Sequence, residues 1–164
     1  MTEEKYRHML AFFRKTLRCE QIMHFLCSFS PLPVIAAYLC GIGGLIASRS
    51  VLVIRFVAVP AITLISVTVL RKLVNAPRPY EVYAITPLID KTNQGQSMPS
   101  RHTASAVIIG IAFLYISPPV GIFFLLWAVW VGISRILAGA HFIKDVLVGA
   151  ALALVMGVVG FYIL

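Results

Sequence analysis

The sequence predicts an all-α fold: a polytopic membrane helix bundle of about five transmembrane helices, preceded by an N-terminal amphipathic interfacial helix. Three observations carry this. Of 164 residues, 60% are hydrophobic and 12% charged, and mean hydropathy is +0.93, whereas soluble domains run at about 45–50% apolar and about 25% charged. The uncharged residues fall into runs suited to crossing a hydrocarbon core of roughly 30 Å. The mid-chain charges stand at the ends of those runs. A soluble domain is thereby excluded, and the length suits one membrane domain over 1–164.

The elements follow in order. Over 5–26, Tyr6, Met9, Leu10, Phe13 and Leu17 share a helical face, with Phe12 beside it. Arg7, Arg14, Lys15 and Arg18 lie mostly elsewhere, the pattern of a helix lying in the interface. Ser30-Pro31-Leu32-Pro33 breaks the helix before it. No charge lies between Glu20 and Arg49, which places a first span at 32–47. A second covers 51–70, where Arg55 can snorkel from one end and Pro60 can kink the helix. Residues 71–100 are polar and rich in Pro, Asn, Gln and Ser, a loop with room for a short helix. The uncharged stretch 103–134 is too long for one helix; Ser117-Pro118-Pro119 divides it into spans 99–116 and 120–137. The last uncharged run, 146–164, is the fifth span. Cys19, Cys27 and Cys40 show no metal-ligand or redox spacing and read as small apolar fillers.

Parity then gathers the charge. The end of span two, the start of span three, the end of span four and the start of span five must share one side. They carry Arg71, Lys72 and Arg78, then Arg101 and His102, then Arg135, then His141, Lys144 and Asp145. Ionisable groups held beside lipid are costly and mark function. Several cations, two histidines and one aspartate suit a site that grips a phosphate and breaks a P–O bond.

Three stretches supply that chemistry. In Arg71-Lys72-Leu73-Val74-Asn75-Ala76-Pro77-Arg78-Pro79, guanidinium forks can take phosphate oxygens in pairs, and two prolines stiffen the chain around Arg78. Pro99-Ser100-Arg101-His102 opens span three, where helix N–H groups are free. There Ser100 suits an N-cap or a phosphate donor, and His102 suits a general acid. In the stretch from Ser134 to Asp145, His141 and Asp145 are four apart and share a helical face, so the carboxylate can fix the imidazole tautomer. Arg135 ends span four within reach of the same anion.

Together these stretches resemble the type 2 phosphatidic acid phosphatase superfamily, which includes bacterial undecaprenyl-diphosphate phosphatases and vanadium haloperoxidases. Its signature reads KxxxxxxRP, PSGH and SRxxxxxHxxxD. The third motif matches in full from Ser134 to Asp145; the second has Arg101 in place of glycine; the first has Arg71 at the lysine position, with Lys72 one residue out of register. The resemblance covers about residues 50–160. It implies His141 as a nucleophile forming a phosphohistidine, Asp145 as its orienting partner and His102 as acid for the leaving group. Arg71, Arg78, Ser100 and Arg135 would hold the phosphoryl oxygens, with Lys72 and Arg101 as further candidates. No metal or other cofactor is implied.

The expected substrate is a lipid phosphate or diphosphate (phosphatidate, phosphatidylglycerol phosphate or undecaprenyl diphosphate) reached from the bilayer. A net charge of +8 fits anionic headgroups or substrate, and nucleic acid is the poorer partner for a chain this apolar. No obligate protein partner is inferred. Two other functions use the same residues: a lipid phosphotransferase with an acceptor other than water, and a non-enzymatic lipid or anion transporter. The location expected is the plasma (inner) membrane. Five spans put the basic N-terminus and the site on one side, cytoplasmic by the positive-inside rule. The resemblance implies an extracytoplasmic site, and an N-terminal helix lying flat outside reconciles the two.

Overall fold

The structure is a computed structural model that describes residues 1–89 and 94–164. The middle of the polar loop expected after span two, residues 90–93, lies outside the described residues. Among the described residues eight α-helices follow one another: α1 (Glu3–Phe13), α2 (Leu17–Phe29), α3 (Leu32–Ala47), α4 (Leu52–Val74), α5 (Pro79–Val82), α6 (Arg101–Ile116), α7 (Pro118–Leu137) and α8 (Ile143–Val158). A π-helical turn, Val159–Ile163, continues α8 to the C-terminus. Among the described residues four apolar stretches are long enough to cross a membrane: Leu17–Ala47, Leu52–Val82, Pro118–Leu137 and Ile143–Ile163. The shorter apolar helix Arg101–Ile116 completes the bundle. The protein is a multi-pass membrane protein, all-helical among the described residues.

Its core is built around α6, which packs against α3, α4, α7 and α8. Thr103, Ala104, Ala106, Ile108, Ile109, Ile111, Ala112 and Phe113 are all buried. The small residues among them let neighbouring helices approach without a hydrophobic driving force between lipid-like surfaces. The outer faces keep large apolar side chains exposed, including Leu39, Ile54, Leu126 and Leu147. In water such a surface would aggregate; in a bilayer it meets acyl chains. Ser117 ends α6 and starts α7 in one extended residue, and Pro118 begins α7 where a missing N–H costs nothing.

The N-terminal region departs from the single interfacial helix expected over 5–26. Two helices form, because Thr16 takes an extended conformation and its side chain caps α2, accepting from the Cys19 N–H at 3.3 Å. The Arg14 guanidinium fills the gap, donating to the Thr86 and Pro87 carbonyls at 3.0 and 3.2 Å. The C-terminal part of α2 lies against the charged end of the bundle, where Cys27 is buried with Ile89, Ala138 and Ala140. A turn at Ser30 and Pro31 then leads into α3.

Candidate active site

The four charged ends predicted by parity do meet. The Arg71 guanidinium donates through Nη1 to the Pro99 carbonyl at 3.1 Å, joining the end of α4 to the entrance of α6. The Ser100 N–H donates to the Asp145 carbonyl at 2.8 Å, joining α6 to α8. Between α7 and α8 the chain turns through Gly139, whose φ of +70° is the left-handed position that ends a helix. The turn leaves the Arg135 carbonyl accepting from the Ala140 and His141 N–H groups at 3.1 and 3.3 Å.

The cations are sorted by helix phase. Arg71 is buried and Lys72 exposed, since consecutive helical residues point about 100° apart. Lys72, a candidate phosphate ligand on sequence grounds, is therefore turned away from the site. Arg78 precedes α5 and is held on both sides: its N–H donates to Glu81 Oε2 at 2.7 Å and its Nε to the Gly95 carbonyl at 3.0 Å. Glu81 Oε1 also accepts from the Gly95 N–H at 2.9 Å, closing the loop around Arg78. Arg71, Arg78 and Arg101 line a polar basin of about 350 Å³ together with Thr68, Gln94, Gly95 and Gln96. Among the described residues, none of these three arginines is ion-paired to a carboxylate. Arg71 and Arg78 are buried and Arg101 is exposed; a buried cation without a counter-charge is costly unless an anion arrives to meet it.

Two other expected ligands are engaged elsewhere. The Ser100 hydroxyl is buried and pairs with Thr103 Oγ1 at 3.0 Å; it caps no backbone N–H. Arg135 faces the α2–α3 turn, donating through Nη2 to Ser30 Oγ at 2.9 Å and through Nε to Ser134 Oγ at 3.3 Å. Its bonded partners there are neutral hydroxyls. His102 stands on the first turn of α6, half-buried. With Arg101 it lines the polar end of a second cleft of about 240 Å³, whose walls include Val34, Leu64, Ala106 and Ile109.

His141 and Asp145 are both buried, 2% and 0% exposed. Their direct separation, Nδ1 to Oδ2, is 3.7 Å, beyond a hydrogen bond. Ser97 bridges it. The Ser97 hydroxyl donates to Asp145 Oδ2 at 2.5 Å and lies 3.3 Å from His141 Nδ1. Its proton is committed to the carboxylate, so the hydroxyl oxygen accepts from Nδ1–H, leaving the Nε2 lone pair free. Asp145 Oδ2 also accepts from the Phe142 N–H at 3.0 Å. Burial, assisted by Arg78 and Arg71, pulls the His141 pKa below its ordinary 6.5, against the upward pull of Asp145. The ring is neutral at pH 7.

Sequence reasoning missed two residues. Ser97 stands two places before the Pro99-Ser100-Arg101-His102 stretch, and its N–H is tied to the Ala76 carbonyl at 2.9 Å. A small hydroxyl residue next to that stretch was the available signal. Tyr6 read as part of an interfacial apolar face, yet it is fully buried and its hydroxyl donates to the His141 carbonyl at 3.0 Å. Its ring packs against Tyr83 and Phe142. Burial and the nearby Asp145 raise the Tyr6 pKa to about 12, so the phenol remains a donor throughout the physiological range. Helix α1 therefore lies on the same side as the site and braces its histidine turn.

The chain is similar to several known proteins. An undecaprenyl-diphosphatase, BcrC, of Bacillus subtilis (strain 168) is 33% identical over 81 residues, covering 49% of this chain and 42% of that protein. A lipid A 1-phosphatase of Rhizobium etli is 29% identical over 87 residues, covering 50% and 37% respectively. The match thus spans about two fifths of the length of these relatives. The crystal structure of Aquifex aeolicus LpxE superposes with a TM-score of 0.72 at 22% identity, covering 96% of this chain and 92% of that one. A PAP2-type phosphatidylglycerolphosphate phosphatase from Bacillus subtilis superposes with a TM-score of 0.70 at 21% identity, covering 96% and 81%. These two establish a shared fold. The model of the PAP2 superfamily matches residues 52–164, which contain all three motifs and every charged end of the bundle, and the chain belongs to that superfamily.

Proposed function

We propose that this protein is an integral membrane phosphatase that removes the terminal phosphate of a lipid phosphate or diphosphate through a phosphohistidine. The observation that carries the proposal is a neutral, buried His141, oriented through Ser97 and Asp145 close to a basin of arginines that have no carboxylate partner among the described residues. The relatives named as phosphatases of undecaprenyl diphosphate and lipid A support the same class of substrate.

The lipid enters from the bilayer with its chain in the apolar cleft and its phosphate in the basin. Nε2 of His141 attacks phosphorus, and the bond from phosphorus to the bridging oxygen breaks. His102 donates a proton to that oxygen. Guanidinium groups neutralise the charge on the transferring phosphoryl group, which needs positioning and electrostatics more than elaborate covalent chemistry. Water, deprotonated by His102, then cleaves the P–N bond and releases inorganic phosphate. The test is phosphate release by the purified protein from a panel of lipid phosphates, with water as sole acceptor. Release from none of them refutes the proposal.

The pH dependence follows from the two imidazoles. His141 acts neutral and His102 protonated, so kcat/KM is bell-shaped. Since the His141 pKa is lowered, the neutral nucleophile persists as pH falls and is lost only below 6.5. The acid limb therefore has its midpoint below 6.5. A flat profile, or an acid limb above that value, counts against this assignment.

Ser97→Ala removes the bridge and leaves 3.7 Å between ring and carboxylate. The expected result is a fall in kcat of about tenfold or more, from loss of a charge-assisted contact, with KM little changed. Ser97→Thr retains the hydroxyl and recovers part of the rate. A purely structural role would lower stability and raise KM without that rescue.

A further inference from the structure

Arg101 is the one position where the second motif departs from the family's glycine, and its placement is specific. Its side chain lines both the polar basin, with Arg71 and Arg78, and the apolar cleft, with His102 and Val34. It is exposed at the junction of the two, whereas Arg71 and Arg78 are buried at the basin's inner side. Read from the inside outwards, the site offers two arginines, then a third, then an apolar channel toward lipid.

A lipid diphosphate has the same order: terminal phosphate, proximal phosphate, hydrocarbon chain. A lipid monophosphate has no group for the third position. On the reading of the site as a lipid phosphatase, we propose that Arg101 binds the proximal phosphate and makes lipid diphosphates the preferred substrate class. The contact has a catalytic consequence. When His141 takes the terminal phosphoryl group, the bond from phosphorus to the bridging oxygen breaks and its electron pair stays on that oxygen. The leaving group is a lipid monophosphate that takes its proton from His102, and the charge that builds on it before that proton arrives lies beside the Arg101 guanidinium. Stabilising charge that develops only in the transition state raises kcat as well as binding.

The experiment compares a prenyl diphosphate with the prenyl monophosphate of the same chain, in detergent micelles, by phosphate release. Wild-type protein is expected to show the higher kcat/KM on the diphosphate. In Arg101→Gly, which installs the family's residue, the ratio of kcat/KM for diphosphate over monophosphate falls at least about tenfold, as loss of a charge-assisted pair requires. Arg101→Gln, which retains much of the side chain, gives the same fall and controls for changes in the loop. A wild-type preference for the monophosphate overturns the inference, and so does an equal loss on both substrates or no loss on either. Each of those results leaves the lipid phosphatase reading intact. Absence of phosphate release from any lipid by the wild-type protein refutes that reading instead.

Discussion

His141→Ala gives a folded protein that releases no phosphate. Folding survives for local reasons. The bond from Tyr6 reaches the His141 carbonyl, and the turn is closed by the Arg135 carbonyl, so both contacts survive loss of the imidazole. Packing of α1 on the turn through Leu10 near Gly139 is also independent of the ring. Activity is lost for a chemical reason. The variant keeps the Ser97–Asp145 pair but loses the imidazole that attacks phosphorus, and loss of a covalent nucleophile costs on the order of 10³-fold or more in kcat. The measurement is phosphate release together with acid-labile labelling of the protein by a terminally labelled lipid phosphate. Turnover retained in the variant refutes the nucleophile assignment.

Gly149→Ala is expected to damage the site without touching a reacting group. A Cβ built at Gly149 lies 2.6 Å from the Ser100 carbonyl oxygen and 3.1 Å from its nitrogen. Both are backbone atoms, so no side chain can rotate away. Helix α6 must back off from α8 by about an ångström, a strain of about 1–3 kcal/mol for overpacking. That motion pulls on the 2.8 Å bond from the Ser100 N–H to the Asp145 carbonyl. It also separates the helix bearing His102 from the helix bearing Asp145. A displacement of that size costs on the order of 10²-fold in rate. Thermal unfolding in detergent and kcat, measured on the same preparation, check both effects. Wild-type rate with wild-type stability would show that this contact does not set the register of the site.

Much of the molecule is legible along the chain. Span 32–47 coincides with α3, and the other four spans differ from the helices by a few residues at their ends. The proline turn at Ser117-Pro118-Pro119 divides α6 from α7 as composition requires. These features follow from hydropathy and from proline's missing donor, both of which are local. Parity is local too: counting crossings is enough to put Arg71, Arg101, Arg135 and Asp145 at one end.

The break between α1 and α2 is different. Thr16 caps α2 locally, but the Arg14 guanidinium that fills the break bonds the carbonyls of residues 86 and 87, far along the chain, and an amphipathic pattern alone shows one continuous helix. The same holds for Tyr6, whose acceptor is 135 residues away.

By itself, then, the sequence determined the membrane class, the apolar helical segments, the gathering of charge on one face and the identity of most groups there. Only the tertiary structure decided which of them point inward. It turned Arg71 to the basin and Lys72 away, set Ser100 on Thr103 and Arg135 on Ser30, and placed Ser97 between His141 and Asp145. The physical reason is that burial from water is a property of segments, readable from composition. The rotation of a helix and the partner of a hydroxyl are fixed by atoms that distant parts of the chain bring within a few ångströms.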